Sequence, residues 1–534
     1  MSSFLSNAKI RSLVDSGAFG EAEQALIYRV GVDERDEEAH VLLAEVLEKK
    51  NEWIGATRQW KRVRRLFEDN SRWKRGLIES ARRSNDWDSV DELLPDFISA
   101  HGETREYLEI LGDRHRALGL SDEAIAVNQR MIDAFGEDYW SVYRIADSQL
   151  LKQDLDAAET MFKRAIEIDA AAPFAYERLA YIAYRRGRVE QALDDLKANL
   201  ERAPDHVWTL DHLLKLMILK GDYVEARKLA DVYMPRLGKE AQPIIARRLV
   251  ELDRNVAFQT KIMGNESAVR EILAGSTFTD VGAADGFQWQ WTILARNGFV
   301  KAVGFEPDDA ECAALNGLFP FASFVPFAVG AKDGPATFHI TDVMSCSSLL
   351  EPDQDVLARF PIRSCFGVVR RLPVNIRSIE SMIKEGLLSP VTFLKVDVQG
   401  AEYEILKGLG PYLDNVLAME LETQILRIYK DQRTLCDLIE FLAGYGFRLR
   451  GIEPQGTFEG EVVEIEAFFS KEIGRLSREE RRRVFAWEAI VGCPQLPMMG
   501  DNADIQSYPR LRRTLTDEDV VNAALRREVR SLFV

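Results

Sequence analysis

The segment 391–408 reads VTFLKVDVQGAEYEILKG and combines two elements of an α/β fold. Its first part is a short apolar run typical of a buried strand, and a helical pattern follows shortly after a glycine. Asp397 stands at the junction, where a strand of an open α/β sheet ends and ligands usually bind. Two interpretations are open: Asp397 meets a ligand there, or it caps the following helix, since aspartate is a preferred N-cap residue.

The surrounding region favours a sheet that would expose Asp397 at its carboxyl edge. Short β-rich runs alternate with helical segments over residues 276–470, which predicts a doubly wound, mostly parallel sheet. The predicted strands are 277–281, 301–305, 323–329, 392–396 and 416–421, followed by a late pair at 447–452 and 464–469.

The first two predicted strands end in residues that suit an adenosine group. The first ends in DVGAADG, residues 280–286, where Gly282 and Gly286 permit a tight turn that brings the backbone against a ligand. The second strand is followed by Glu306, twenty residues beyond Gly286. An acidic residue at that place accepts hydrogen bonds from ribose hydroxyls.

The glycine spacing favours a methyl donor over a dinucleotide. A dinucleotide fingerprint begun at Gly282 needs glycines at positions 284 and 287, where this chain has Ala284 and Phe287. S-adenosylmethionine carries no pyrophosphate and needs only the first turn and a carboxylate. The spacing therefore predicts an S-adenosylmethionine site.

The first half of the chain repeats with a period of 34 residues over residues 3–240. One position of each copy is small: Ala22, Ala56, Val90, Ala124, Ala158, Ala192 and Ala226. Five residues earlier stand turn residues, most of them Gly or Asn: Gly17, Asn51, Asn85, Gly119, Gln153, Gly187 and Gly221. The pattern resembles the tetratricopeptide repeat family, which implies an α-solenoid of seven helix pairs whose concave face binds a protein partner.

The second half resembles the FkbM family of S-adenosylmethionine-dependent methyltransferases. The resemblance rests on DVGAADG at 280–286, Glu306-Pro307, Ala-Val-Gly at 328–330, Ser-Ser-Leu at 347–349 and KVDVQGAE at 395–402. Ala284 and Gln399 replace the Asn and Glu of the family pattern. The resemblance implies a Rossmann-like class I domain that uses S-adenosyl-L-methionine to methylate hydroxyl groups, often on glycans or secondary metabolites. It implies donor contacts at Asp280, Gly282, Ala283, Gly286, Glu306, Pro307 and Ala328.

Three residues are candidates for catalysis. A sulfonium donor is already activated, so the enzyme must mainly align the reacting atoms and remove a proton. We expect Asp397 to orient or deprotonate the acceptor hydroxyl. Glu402 in the first turn of the next helix is a second candidate, although its charge also suits the helix dipole. His339, in an apparent edge strand, is a third, because imidazole titrates near neutral pH. Glu420 and Glu422, at the end of the next predicted strand, are expected substrate contacts.

Two further features concern the surroundings of this site. The long insertion at about 342–372 is expected to form a lid over the substrate, with Ser347 and Ser348 near the donor. The spacing of His, Asp and Cys residues predicts no metal site. Because every donor motif follows residue 270, the sequence also predicts that region 270–534 binds the donor without the repeats.

Composition limits the alternatives. A net charge of −17 disfavours nucleic acid as the main partner. No run approaches the roughly 20 apolar residues of a membrane span, and the first residues lack the apolar core of a signal peptide. Five scattered cysteines suit reduced thiols. We therefore expect a cytoplasmic protein.

The expected architecture is α + α/β. Tetratricopeptide repeats occupy 3–240, a helical linker 241–275, the methyltransferase domain 276–470, and a helical extension 471–534 with basic runs at 478–483 and 509–515. The favoured function is O-methylation of a glycan or glycosylated metabolite, with the repeats recruiting a protein partner. The alternative is an inactive methyltransferase-like protein that serves as an interaction scaffold.

Overall fold

A computed structural model of the chain describes residues 5–67, 72–284, 286–341, 343–458, 460–493 and 517–534. The chain divides into two compact units, Met1–Ala170 and Ala171–Val534. Three parts of the sequence predictions lie outside the described residues, namely the repeat start at residue 3, Asp285 of the first glycine loop and the basic run 509–515.

The first unit consists of five helix pairs. Its helices are α1 (Asn7–Asp15), α2 (Phe19–Val32), α3 (Glu37–Lys49), α4 (Trp53–Leu66), α5 (Arg72–Arg83), α6 (Trp87–His101), α7 (Arg105–Ala117), α8 (Ser121–Phe135), α9 (Tyr139–Leu151) and α10 (Leu155–Ile168). The second helix of every pair begins 34 residues after the previous one, at residues 19, 53, 87, 121 and 155. The helices therefore follow the sequence period.

Turns and packing in these pairs explain why the period is strict. The backbone is left-handed at every predicted turn position, with positive φ at Gly17, Asn51, Asn85, Gly119 and Gln153. The small residue five positions later is fully buried in every pair, at Ala22, Ala56, Val90, Ala124 and Ala158. A small side chain there lets the paired helices approach closely. The predicted helical repeats are confirmed.

The second unit begins with two more helix pairs of the same kind, which are followed by two further helices. These are α11 (Pro173–Arg185), α12 (Val189–Arg202), α13 (Val207–Lys220), α14 (Tyr223–Tyr233), α15 (Gln242–Gly264) and α16 (Glu266–Leu273). Ile245, Leu252 and Val269 of α15 and α16 are buried in one apolar core together with Leu193 of α12 and Phe278 of the sheet. The segment predicted as a linker at 241–275 is helical, as expected, but it belongs to this core.

A seven-stranded sheet forms the centre of the second unit. The strands of the unit are β1 (Thr277–Val281), β2 (Lys301–Phe305), β3 (Ser323–Val325), β4 (Ala328–Val329), β5 (Gly334–Thr341), β6 (Val368–Arg377), β7 (Phe393–Val396), β8 (Ala418–Gln424), β9 (Phe447–Phe458) and β10 (Glu461–Lys471). The large sheet has the order β3-β2-β1-β7-β8-β10-β9. Its first five strands are parallel to one another. Strand β10 is antiparallel to both of its neighbours, β8 and β9. The expected α + α/β fold is confirmed.

Helices cover both faces of this sheet. The remaining helices are α17 (Trp289–Arg296), α18 (Asp309–Leu318), α19 (Gln354–Leu357), α20 (Ile379–Lys384), α21 (Glu402–Gly408), α22 (Leu435–Gly444), α23 (Arg478–Ile490) and α24 (Asp517–Arg530). Short 3-10 helices occur at Met234–Arg236, Met344–Cys346, Pro361–Phe366, Gly410–Asn415 and Ile473–Arg475. One face packs against α20, α21 and α22, and the other packs against α15 to α18 and α23.

The sequence between β3 and β7 forms structure that the pattern did not predict. The apolar run 323–329 is not one strand, because Pro326 lacks an N–H donor and separates β3 from β4. β4, β5 and β6 form a second, three-stranded sheet in the order β4-β6-β5. Much of the insertion predicted as a lid therefore consists of the connection between β5 and β6 and the start of β6.

The described part of the C-terminal extension is helical and packed. Phe485 and Trp487 of α23 and Val529 of α24 are buried in the same core as α15 and α16. Arg526 of α24 donates to Glu488 of α23 at 2.8 Å. None of the helices in the described ranges combines the length and the apolar composition that a bilayer crossing requires.

Candidate active site

The candidate site lies where the strand order of the large sheet reverses. The chain proceeds outward from β1 through β2 to β3, and later returns to the other side of β1 with β7 and β8. The carboxyl ends of β1 and β7 are therefore adjacent, and the connections that leave them diverge. This is the position at which open α/β sheets bind ligands.

Backbone contacts tie the ends of three strands together. The N–H groups of Gly282 and Ala283 both donate to the carbonyl of Phe305 at 3.1 Å, and the N–H of Asp397 donates to the carbonyl of Val281 at 2.9 Å. Gly282 has φ +92°, and a Cβ atom there would overlap the carbonyl oxygen of Asp397. Only glycine fits this position, because the loops after β1 and β7 are in direct backbone contact.

The glycine loop closes on an aromatic ring. The N–H of Gly286 donates to the carbonyl of Ala283 at 3.0 Å, which forms a tight turn. Gly286 has φ +84°, and a Cβ atom there would lie 2.6 Å from the ring of Phe319. Both glycines that the sequence singles out are thus required by backbone conformation and by close packing.

Glu306 lies directly beyond β2, as the sequence predicts for a ribose-binding acid. Its Oε1 accepts the backbone N–H of Asp308 at 2.8 Å. The residue is only 7% exposed. Burial raises the pKa of Glu306 to about 7. The hydrogen bond from the Asp308 N–H and the charge of Arg185 oppose this rise, and the charges of Asp308 and Glu311 add to it. Pro307 follows it and is half-buried.

Lys395 and Asp397 form an ion pair on one face of β7 and its extension. Residues two apart on a strand point to the same side, and Lys395 Nζ donates to Asp397 Oδ2 at 3.1 Å. The Asp397 side chain remains 31% exposed. Lys395 is also in register with Asp280 of β1 and Glu420 of β8. Lys395 thus has an acidic residue beside it on each neighbouring strand and a third, Asp397, just after the end of β7.

The charges in this cluster are strongly coupled. Burial alone would lower the pKa of Lys395, but Asp280 and Asp397 outweigh burial and raise the pKa. Burial raises the pKa of Asp280 to about 7, while Lys395 opposes the change. Asp280 Oδ1 is buried and has no hydrogen-bond partner among the described residues. The charge of Lys395 therefore opposes the rise in the pKa of Asp280 and of Glu420 and Glu422 on β8.

The structure excludes one of the two interpretations of Asp397, the helix cap. Helix α21 begins only at Glu402, and its N-cap residue is Ala401, with no side-chain capping bond. The side chain of Asp397 pairs with Lys395 instead. The capping interpretation is wrong, because the helix begins five residues after Asp397, at Glu402.

Glu402 is fully buried beneath this loop. Its Oε1 accepts the N–H of Gly400 at 2.7 Å. Burial raises the pKa of Glu402 to about 8, and the nearby charges of Asp397 and Glu422 add to the increase. Its Oε2 has no hydrogen-bond partner within the described part of the chain. Glu402 therefore contacts the backbone of the loop that carries Asp397.

Gln399 connects the same loop to β8 and to the insertion. Its backbone is left-handed, with φ +57°. Its Nε2 donates to Glu422 Oε1 at 2.8 Å, and its Oε1 accepts the hydroxyl of Tyr429 at 3.2 Å. Its carbonyl accepts the hydroxyl of Ser348 at 2.7 Å. Ser348 of the insertion therefore contacts the loop of Asp397.

Two further strands add carboxyl groups. Glu420 and Glu422 of β8 are those that the sequence places at the end of a strand, whereas Glu466 of β10 was missed by sequence reasoning. Glu420 accepts a hydrogen bond from Gln288 of the glycine loop. Burial, and then the hydrogen bond and charge of Glu466, raise the pKa of Glu420 well above its ordinary value. Burial and the charge of Asp397 raise the pKa of Glu422 to about 8. Glu466 of β10 is opposite Glu422. The sequence signal for these carboxyl groups is the alternation of Glu with apolar residues in β8 and β10.

His339 and Ala328 belong to the three-stranded sheet. Ala328 of β4 pairs with Ile376 of β6 and is buried. The N–H of His339 in β5 donates to the carbonyl of Ser348 at 2.8 Å. His339 Nδ1 is buried without a hydrogen-bond partner in the ranges that the structure describes. Ser348 thus contacts both His339 and the loop of Asp397, and within those ranges no hydrogen bond joins His339 to Asp397.

The described residues contain no group of three or more His, Cys, Asp and Glu side chains arranged to hold a metal ion. The carboxyl groups around Lys395 instead pair with Lys395, Gln288 and Gln399.

Comparison with known proteins agrees with this geometry. Residues 280–449 match the model of the methyltransferase FkbM domain, and this range includes the glycine loop, Glu306 and Asp397. No curated protein matches the chain. The second half of the sequence therefore contains an FkbM methyltransferase domain.

Solved structures of tetratricopeptide repeat proteins match the helical half. YrrB, a TPR protein with an unusual peptide-binding site, is 18% identical and covers 35% of this chain and 97% of its own, with a TM-score of 0.24. A tetratricopeptide repeat protein from Parabacteroides merdae is 10% identical and covers 39% of this chain and 80% of its own, with a TM-score of 0.33. MamA from Desulfovibrio magneticus is 11% identical and covers 31% of this chain and 94% of its own, with a TM-score of 0.26.

Proposed function

We propose that this chain, which contains an FkbM methyltransferase domain, is an S-adenosylmethionine-dependent O-methyltransferase acting on a hydroxyl of a glycan or glycosylated metabolite. The observation that carries the proposal is the direct backbone contact between Gly282 and Asp397. It brings the loop suited to the donor against the backbone of the residue whose carboxylate suits the acceptor. A methyl transfer needs these two groups side by side.

The residues present fit the proposed cofactor. Gly282 and Gly286 keep the loop free of side chains that would fill the space beside the strand ends. Glu306 presents a buried carboxylate at the end of β2, which suits a pair of ribose hydroxyls. Asp280 lies below the loop with one oxygen lacking a partner in the described structure. When bound, the sulfonium cofactor supplies an activated methyl group.

Asp397 is the catalytic candidate that the geometry favours. Its carboxylate is partly exposed, so an acceptor hydroxyl can reach it. Lys395 donates to it at 3.1 Å, and Asp397 Oδ1 or Oδ2 accepts the hydroxyl proton as the new carbon–oxygen bond forms. We assign Glu402 to holding the loop, because it is fully buried. His339 is a residue of the neighbouring sheet that borders Ser348.

The helical repeats are proposed to recruit a protein partner. Their helix pairs carry no catalytic motif of their own, and solenoids of this type expose a concave binding surface. All five cysteines lie in the described ranges and are free thiols, which suits the cytoplasmic location expected from the sequence.

Calorimetry with the full chain tests the proposal. S-adenosylmethionine and S-adenosylhomocysteine should both give heats of binding, whereas NAD should give none, because the phosphate-binding glycines are missing. Binding of NAD but of neither sulfur nucleotide would contradict the donor assignment. Mass spectrometry of cell glycans with and without the gene then identifies the acceptor as a mass difference of one methyl group. An inactive scaffold would bind no donor and change no glycan.

A further inference from the structure

Helix α18 follows directly after the proposed ribose-binding acid and depends on Asp308 for its start. Asp308 is the N-cap of the helix, and its Oδ1 accepts the N–H of Glu311 at 2.7 Å. The backbone N–H of Asp308 donates to Glu306 Oε1 at 2.8 Å. The orientation of the Glu306 carboxyl group is therefore coupled to the position of Asp308.

A buried arginine from the repeats contacts the same helix start. Arg185, the last residue of α11, lies with Nη2 at 3.0 Å from Asp308 Oδ1 and with Nε at 3.1 Å from Glu311 Oε2. Its side chain is only 9% exposed. The Asp308 side chain is 42% exposed and that of Glu311 is 16% exposed, so Arg185 is the most buried member of both pairs. Leaving a buried charge without its partner is costly. Arg185 thus fixes the N-terminal turn of α18 from the repeat side.

Backbone packing holds α11 and α18 in one arrangement. A Cβ atom on Gly317 would lie 2.6 Å from the carbonyl oxygen of Gly187, and a Cβ atom on Gly187 would lie 2.9 Å from the carbonyl oxygen of Ala313. Neither position leaves space for a side chain. The turn after α11 therefore rests directly on the backbone of α18, so Arg185 meets a rigid partner.

The helix after the glycine loop is held by the repeats as well. Arg296 at the end of α17 donates to the hydroxyl of Tyr223 at 2.9 Å and to the carbonyl of Leu219. Its guanidinium also lies over the ring of Phe321, 5.6 Å from the centroid. Both helices that begin after the proposed donor loops, α17 and α18, therefore pack on the last two repeat pairs.

We propose that Arg185 is a positioning residue for donor binding, which acts through Asp308 on Glu306. This inference rests on the proposed function, because it assumes that Glu306 binds the donor. It means that the last two repeat pairs form part of the donor-binding structure as well as part of the solenoid. It also reverses the expectation that region 270–534 binds the donor without the repeats.

The test is S-adenosylhomocysteine binding by full-length variants, measured by calorimetry at a temperature where all are folded. Arg185→Gln should raise the dissociation constant about tenfold, since a charge-assisted contact to the helix start is lost. Arg185→Lys should recover part of the affinity, because it keeps the charge without the planar fork. Arg188→Gln, an exposed arginine three residues further on, is the matched control and should bind as the wild type does.

A double-mutant cycle separates positioning from general stability. If Arg185 acts through Asp308, Arg185→Gln and Asp308→Asn together should weaken binding no more than the stronger single change does. If the increases in the dissociation constant caused by the two single changes multiply in the double variant, the inference is wrong. An Arg185→Gln variant that has a lower melting temperature but wild-type affinity would also overturn it, since that result assigns the arginine to stability alone. If Arg185→Gln does not fold, Arg185→Lys with Asp308→Asn gives the same cycle.

The wild-type measurement distinguishes the two proposals. A wild-type chain that binds S-adenosylhomocysteine while Arg185→Gln binds equally well would contradict only the role of Arg185. A wild-type chain without any heat of binding would overturn the donor assignment and this inference together.

Discussion

At the scale of single residues, Asp397 combines a cationic partner with access to solvent. An amide at this position keeps the size of the side chain but cannot accept a proton. Asp397→Asn should therefore lower turnover about 10²-fold or more, while the dissociation constant for the donor stays within a factor of about two. Turnover with the true acceptor and calorimetry with S-adenosylhomocysteine measure the two effects.

The control for this substitution is Asp414→Asn, which changes a side chain that is 75% exposed. It should leave both quantities unchanged. Wild-type turnover in Asp397→Asn would move the catalytic role to Glu402, Glu420 or His339.

Glu306 gives donor binding a pH dependence. Burial raises its pKa to about 7, so it is protonated below that pH and ionised above it. The charges of Asp308 and Glu311 disfavour the ionised carboxylate, whereas the hydrogen bond from the Asp308 N–H and the charge of Arg185 favour it. The charge of Glu306 in turn contributes to the raised pKa of the Cys312 thiol. The ionised form accepts hydrogen bonds with both oxygens. Donor affinity should therefore rise between about pH 6 and pH 8.

Glu306→Gln tests this assignment. It keeps the oxygen that accepts from Asp308 but removes the charge, so the donor should bind more weakly by about 1.5–3 kcal/mol at pH 8. The difference in donor-binding free energy between wild type and variant should become smaller towards pH 6. Calorimetric titrations at several pH values measure it, and parallel curves for the two proteins would mean that the ribose is held elsewhere.

Sequence reasoning located individual strand-end residues but not their partners. Gly282, Glu306 and Asp397 follow apolar runs, so a local pattern was enough to place them at strand ends. The neighbours of Lys395 depend on which strands lie beside β7, and that order brings together residues more than a hundred positions apart. Glu466 joins the site for the same reason. No local pattern contains that information.

At the scale of elements, local signals fixed the repeat helices and failed where pairing is distant. Each repeat turn needs a left-handed residue within a few positions of a buried small residue, and a period of 34 records both. The second sheet depends on the pairing of β5 with β6, across an insertion without a clear period. The run 323–329 resembles a single strand because it is mostly apolar, and composition alone does not show that Pro326 interrupts it.

Gly282 allows a direct test of the contact between the loops after β1 and β7. Gly298 has a similar left-handed backbone, φ +68°, but open space where a Cβ atom would lie. Gly298→Ala should lower the free energy of unfolding by about 1–2 kcal/mol, the cost of an alanine in that conformation. Gly282→Ala carries the same cost and a further 1–3 kcal/mol for the overlap with Asp397.

The two alanine variants should also differ in function. Gly282→Ala should weaken S-adenosylhomocysteine binding, because the loop must move away from β7, and Gly298→Ala should not. Chemical denaturation and calorimetry measure the two effects. Equal stability losses in the two variants would show that the loops are free to separate.

At the scale of the whole molecule, the sequence period identified the repeats but not the boundary between compact units. The period continues from residue 3 to about 240, whereas the compact units divide at Ala170 and Ala171. Periodicity describes how each pair packs on itself. It carries no information about which pairs also share a core with the sheet. Helix α15 was predicted as helical from its own pattern, and its packing partners lay outside that pattern.

The shared core predicts that α15 and the sheet unfold together. Ile245 of α15 is fully buried, so Ile245→Ala should lower the free energy of unfolding by about 2–5 kcal/mol. Val250 on the same helix is 69% exposed, and Val250→Ala should change it by less than about 0.5 kcal/mol. Hydrogen exchange followed by mass spectrometry reports where each loss occurs.

In Ile245→Ala, peptides from β1 and β7 should lose the same opening free energy as peptides from α15, because one apolar cluster includes all three elements. A flexible linker would behave differently. Loss of protection confined to residues 242–273, with β1 and β7 exchanging as in the wild type, would mean that α15 is attached to the domain without contributing to its stability.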